Sequence, residues 1–62
     1  MGSIIFDVQV TFLDEKEYIM DQNVWQIRAD SSEEARDKAQ AIADNDCENY
    51  DYYEAEISII GA

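Results

Sequence analysis

Ile4, Phe6, Val8, Val10 and Phe12 stand at every second position near the start of the chain. Successive side chains of a strand point to opposite faces, so this spacing gathers them on one side. The residues between them, Ile5, Asp7, Gln9, Thr11 and Leu13, are apolar only at the ends of the stretch. One face is therefore core and the other mostly wet, the pattern of an antiparallel sheet. A strand over residues 4–13 needs partners that cover the same face, and the 49 residues that follow it must supply them.

Asp14-Glu15-Lys16-Glu17 is a polar break without the Asn-Gly or Asp-Gly pair of a two-residue hairpin, so the connection is expected to be long or bulged. Tyr18-Ile19-Met20 either extends the hairpin or packs as a loop, and Asp21-Gln22-Asn23 interrupts the alternation in both cases. Alternation resumes over residues 24–29, with Trp25, Ile27 and Ala29 on one side and Val24, Gln26 and Arg28 on the other. Ser31 with Glu34 fits a capping box, and acids in a first turn suit the positive helix N-terminus. The helix is expected to run to about Asn45, burying Ala35, Ala39, Ile42 and Ala43. Asn45-Asp46-Cys47-Glu48-Asn49 is expected as the exit loop. Residues 52–60 read as a last strand, with Tyr53, Ala55, Ile57 and Ile59 inward and Tyr52, Glu54, Glu56, Ser58 and Ile60 outward.

These pieces assemble as an α+β domain of the β-β-α-β kind. Two strands form a hairpin, the helix crosses one face, and the third strand returns beside the first. The expected fold is a three-stranded antiparallel sheet, order 2-1-3, with one helix on one face. Residues 1–62 form a single small acidic domain whose expected core includes Phe6, Val8, Ile27, Ile42 and Ile57.

Composition narrows the function. A chain of 62 residues buries a core one layer deep, with no room for a deep cleft. The lone Cys47 cannot staple the fold, and with no histidine in the chain a zinc site is not expected. A reducing cytoplasm fits that cysteine usage. Asp46 and Glu48 beside Cys47 oppose a reactive thiolate. No apolar run is long enough to span a bilayer, and a secretory signal is not expected at Met1-Gly2-Ser3. Fifteen acids against four bases give a net charge of −11. Direct binding to nucleic acid or to an anionic membrane is not expected, whereas a protein with a basic surface is a compatible partner.

The succession of an apolar strand, a polar turn, a second strand ending in Ile27-Arg28-Ala29-Asp30-Ser31 and a helix opened by Ser32-Glu33-Glu34-Ala35 resembles the small β-β-α-β proteins of phage and mobile elements, such as the DpnD/PcfM-like family. The resemblance covers nearly the whole chain, apart from the additional Tyr18–Asn23 segment. It implies the fold, a phage or mobile-element setting and hence the cytoplasm of a host cell. It implies no catalytic residue and no cofactor.

Asp44, Asp46 and Glu48 alternate like the first ligands of a calcium loop, but the positions that require Gly and Glu hold Asn49 and Ala55. The chain has carboxylates but no expected cleft to bury them, and no histidine, Gly-rich phosphate loop or nucleophile elbow, so an enzyme is not expected. Charge layout says more. Glu33, Asp37 and Asp44 share the outer helix face, and Glu33 and Asp37 repel at four-residue spacing. Glu54 and Glu56 add an outward pair on the last strand, roughly 6.8 Å apart. Such carboxylates either imitate phosphates in a basic groove or are simply solvated. Tyr52, read as outward-facing, either joins an interface or shields the sheet.

Two functions follow as expectations. One is a non-catalytic inhibitor that offers Glu33, Asp37, Asp44, Glu54 and Glu56 to a basic nucleic-acid-binding protein. The other is a plain interaction or homodimer module using the open sheet face through Ile5, Leu13, Val24, Tyr52 and Ile60.

Overall fold

A computed structural model describes residues 3–62. Met1 and Gly2, the start of the segment read for a secretory signal, lie outside the described residues. The elements are β1 (Ile4–Leu13), β2 (Ile19–Ala29), α1 (Ser32–Tyr50) and β3 (Glu54–Gly61). The sheet order is β2-β1-β3, antiparallel throughout, with α1 against one face. This is the expected β-β-α-β arrangement. No described helix is long and apolar enough to cross a membrane.

The centre of the sheet is β1, because its alternating apolar set needs cover from both sides of the chain. Phe6, Val8, Val10 and Phe12 are buried, while Ile4, beyond the stretch of β1 that pairs with β3, is exposed. Ile27 and Ala29 of β2 complete the inner face, with Trp25 packed against it. Ala35, Ala39 and Ala43 of α1 have no solvent exposure. Small side chains at these positions let the helix axis approach the sheet, whose strands supply the large ones. Ala55, Ile57 and Ile59 close the third side, half-buried.

The hairpin turn is bulged, as the absence of a tight-turn pair requires. Glu17 N–H donates to Asp14 O at 3.0 Å, and Asp14 N–H donates to Tyr18 O at 3.0 Å. The Asp14 carboxylate accepts from Lys16 N–H at 2.8 Å and Tyr18 N–H at 2.9 Å. Glu17 takes φ 66, a left-handed position where glycine is usual. Of the two readings of Tyr18–Met20, the strand holds for Ile19 and Met20, and β2 continues unbroken through Asp21-Gln22-Asn23. The register slips between Phe12 and Leu13, leaving Met20 as the extra residue.

The start of α1 follows its sequence. Ser31 caps it, accepting from Glu34 N–H at 3.2 Å, and Glu34 accepts in return from Asp30 N–H at 2.8 Å. That backbone donor holds the Glu34 carboxyl below its ordinary value; slight burial opposes it, and Lys38 assists.

The end of α1 departs from expectation. Residues 45–49, expected as a loop, are helical, and the helix continues to Tyr50. Cys47 extends the Ala35-Ala39-Ala43 stripe by one further step of four, and packing of that stripe prolongs the helix. Asp51 then stops it at φ 57, and Tyr52 N–H donates back to Cys47 O at 3.0 Å. This is a Schellman closure with Asp in place of Gly.

Two further corrections follow from the same region. Ile42 is 47% exposed rather than core, because it is rotated about 100° from Ala43 toward the helix flank. Tyr52 and Tyr53 exchange roles. Strand alternation begins only at Glu54, so the two tyrosines obey the helix cap instead. Tyr52 tucks under and stacks on Phe12, with ring centroids 4.5 Å apart, while Tyr53 is 65% exposed.

Candidate functional site

The outer face of α1 is built by the same periodicity that builds its inner face. At 3.6 residues per turn, Glu33, Asp37 and Asp44 fall within about 60° of one another, opposite the alanine stripe. All three are exposed. Because the helix runs past residue 45, Glu48 joins this crest, which a helix ending at Asn45 would not have placed there. The four carboxylates span about 22 Å of helix at 1.5 Å per residue.

The two helical bases leave that crest. Arg36 donates to Ile57 O of β3 at 3.3 Å, and Lys38 donates to Arg28 O of β2 at 2.7 Å. Each reaches down a flank to an edge-strand carbonyl. Lys38 also pairs with Glu34 at 3.4 Å, with both side chains about half exposed, an arrangement that stabilises by only tenths of a kcal/mol. The crest therefore carries carboxylates with no base among them. Gln40 donates to Asp44 at 2.8 Å, which orients that carboxylate without neutralising it. No basic side chain lies in the last helical turn, where it would answer the helix dipole.

Glu54 and Glu56 do not join this array. Ala55, Ile57 and Ile59 pack beneath the helix, so alternation sends Glu54 and Glu56 to the opposite, open face of the sheet. The five acids expected to act together are thus split between two sides of the domain. Of the open-face set, Ile5, Val24 and Ile60 are about half exposed. Leu13 is 5% exposed and Tyr52 is packed against the core, so neither is available as a contact there.

Where the hairpin end meets the helix C-terminus, the surface is concave. Asp14, Glu15, Lys16, Tyr18 and Met20 form one wall and Cys47, Glu48, Asp51, Tyr52 and Tyr53 the other, around a shallow, open groove of about 690 Å³. Sequence reasoning missed it, because it depends on the helix reaching Tyr50 and on the turn that exposes Tyr53. The Tyr52 hydroxyl donates to Asp21 at 3.3 Å, and its ring lies 5.8 Å from that of Tyr50. Burial, then the Asp21 carboxylate, push the Tyr52 phenol above its ordinary value. Burial, then Asp44, Asp46 and Glu54, push the Cys47 thiol up. Asp46 acts as expected, whereas Glu54 rather than Glu48 is the further contributor. Both shifts favour the neutral form, so neither group is an activated nucleophile or base.

Asp44, Asp46 and Glu48 lie within α1, where positions two apart diverge by about 160° around the axis. Among the described residues no group of three or more potential ligands is placed to hold a metal ion, and no polar or charged side chain is buried. Comparison with protein-family models, with curated proteins and with solved structures finds no match.

Proposed function

We propose that this protein is a non-catalytic acidic decoy that occupies the basic site of a nucleic-acid-binding protein. The observation that carries the reading is the crest of α1: Glu33, Asp37, Asp44 and Glu48 in line, with Arg36 and Lys38 both drawn off to backbone carbonyls. Within each four-residue step the charges lie about 6 Å apart along the axis. One strand of duplex DNA carries a charge every 3.4 Å or so, so the crest is coarser than a phosphate backbone. It works by field rather than by copying phosphates one for one. A rigid acidic ridge on a chain of charge −11 attracts a basic cleft quickly and releases it in salt. Glu54 and Glu56 face the other way and contribute only to the overall field.

The test starts with proteins retained from a source-cell lysate by the wild type and by Glu33→Gln/Asp37→Asn/Asp44→Asn. Retained proteins that bind nucleic acid, elute with salt, are displaced by DNA or RNA and are lost with the triple variant support the decoy. Equal retention by the folded triple variant ends it.

A second reading, weak self-association through the open sheet face, is favoured by the half-exposed Ile5, Val24 and Ile60. Sedimentation separates it: salt promotes this association by screening like charges, whereas salt dissolves a decoy complex.

A further inference from the structure

The groove between the hairpin end and the helix C-terminus combines aromatic faces with carboxylates. Tyr18 and Tyr53 stand 68% and 65% exposed on its two walls, and Met20 and Tyr52 line it with them. Asp14, Glu15, Glu48 and Asp51 line the same space, against a single cation, Lys16. The aromatic ring carries negative potential on its face, and carboxylates beside it deepen the attraction for a cation. Exposed tyrosines held by a turn and a helix cap lose little freedom on binding, which suits them to receive a side chain.

We propose that this groove binds an arginine side chain of the basic partner. Resting on the decoy reading, this names the anchor residue that the reading leaves unspecified. Arginine fits better than lysine. Its guanidinium is planar and weakly hydrated, so it stacks on Tyr18 or Tyr53 at low desolvation cost while its fork addresses Glu48 or Asp51. Lysine offers a compact, strongly hydrated charge that the groove would have to strip of water. Glu48 belongs both to the helix crest and to the groove wall, so a basic segment lying along the crest delivers its side chain into the groove.

The probe is a short blocked peptide, Gly-Arg-Gly-Arg-Gly, with lysine and citrulline counterparts, titrated at constant ionic strength and followed by NMR. Arginine-peptide resonances should move upfield in the ring currents, and the Tyr18 and Tyr53 signals should shift along with them. Tyr18→Ala/Tyr53→Ala should weaken binding about twofold to fivefold, the effect of removing one exposed cation–π contact whichever ring supplies it. Both tyrosines are largely exposed, so the variant keeps its fold, and its melt serves as the control. Lys16→Gln, which removes the competing cation, should strengthen binding. Glu33→Gln/Asp37→Asn, remote from the groove, should leave it unchanged once salt screens the field.

Equal binding of arginine and citrulline peptides, or binding insensitive to the tyrosine variant, overturns the groove assignment. If the partner still depends on the helix crest in that event, the decoy stands without its anchor. If the groove holds arginine but crest neutralisation leaves partner affinity unchanged, the decoy fails and the arginine site survives it.

Discussion

Asp51 occupies a left-handed conformation at φ 57 and also places a carboxylate at the negative end of α1. A Cβ in that conformation is unfavourable, and the charge opposes the helix dipole. Asp51→Gly should therefore stabilise the domain by about 1 kcal/mol, raising the melting temperature by about 4–8 °C for a chain of this size. An unchanged or lower melt would mean that Asp51 makes a compensating contact. Tyr52 gives the residue-level prediction with pH. Its phenol is raised by burial and by Asp21, so the folded state favours the neutral form. That contribution is complete below the ordinary tyrosine value of about 10 and is lost as pH climbs through the raised one. Tyr52→Phe should flatten the alkaline limb of stability against pH, whereas Tyr52→Ala should cost far more by removing the stack on Phe12. The positions of Tyr52 and Tyr53 were not legible from alternation, because their orientation is set by the αL residue before them. Alternation describes strands, and the strand begins two residues later.

Within the elements, β1, the inner face of β2 and the start of α1 were legible for one reason. Each is specified locally, by period-two alternation or by a cap. The end of α1 was not, because Asn45, Asp46 and Asn49 are turn-forming residues that tertiary packing overrules through Cys47. Ile42 keeps helical spacing with Ala35 and Ala39, but it lies on the edge of the stripe, and spacing alone does not show that the sheet leaves that flank uncovered. These assignments can be checked by substitution. Ala39 has no exposed surface, so Ala39→Leu should force the helix off the sheet and cost about 1–3 kcal/mol. Ile42→Gln, on the exposed flank, should change stability by less than about 0.5 kcal/mol. A large loss at Ile42 with tolerance at Ala39 would reverse the helix orientation. Denaturant melts of the two variants decide it.

Taken whole, the molecule is a long, thin domain of 41 × 18 × 14 Å that carries its charge on several sides. Self-repulsion at −11 opposes the compact state, so added salt should raise the melting temperature, and neutralising Glu33, Asp37 and Asp44 should do likewise. Charge in total was legible from composition, but its distribution was not. Seeing that Glu54 and Glu56 oppose the helix crest requires knowing which strand face packs inward. Seeing that Arg36 and Lys38 leave the crest requires the edge-strand carbonyls beneath them. Stability and binding are thus expected to move in opposite directions on the crest, since the carboxylates there repel one another and the fold does not need them.

The affinity of the triple variant Glu33→Gln/Asp37→Asn/Asp44→Asn for the captured basic partner, measured by calorimetry at about 50 mM and 200 mM salt beside its thermal melt, separates a working surface from a solvated one. A decoy crest predicts a variant that melts at or above the wild-type temperature, binds far more weakly at low salt and has lost most of its salt dependence. A variant that melts normally and binds with unchanged affinity at both salt concentrations would contradict it.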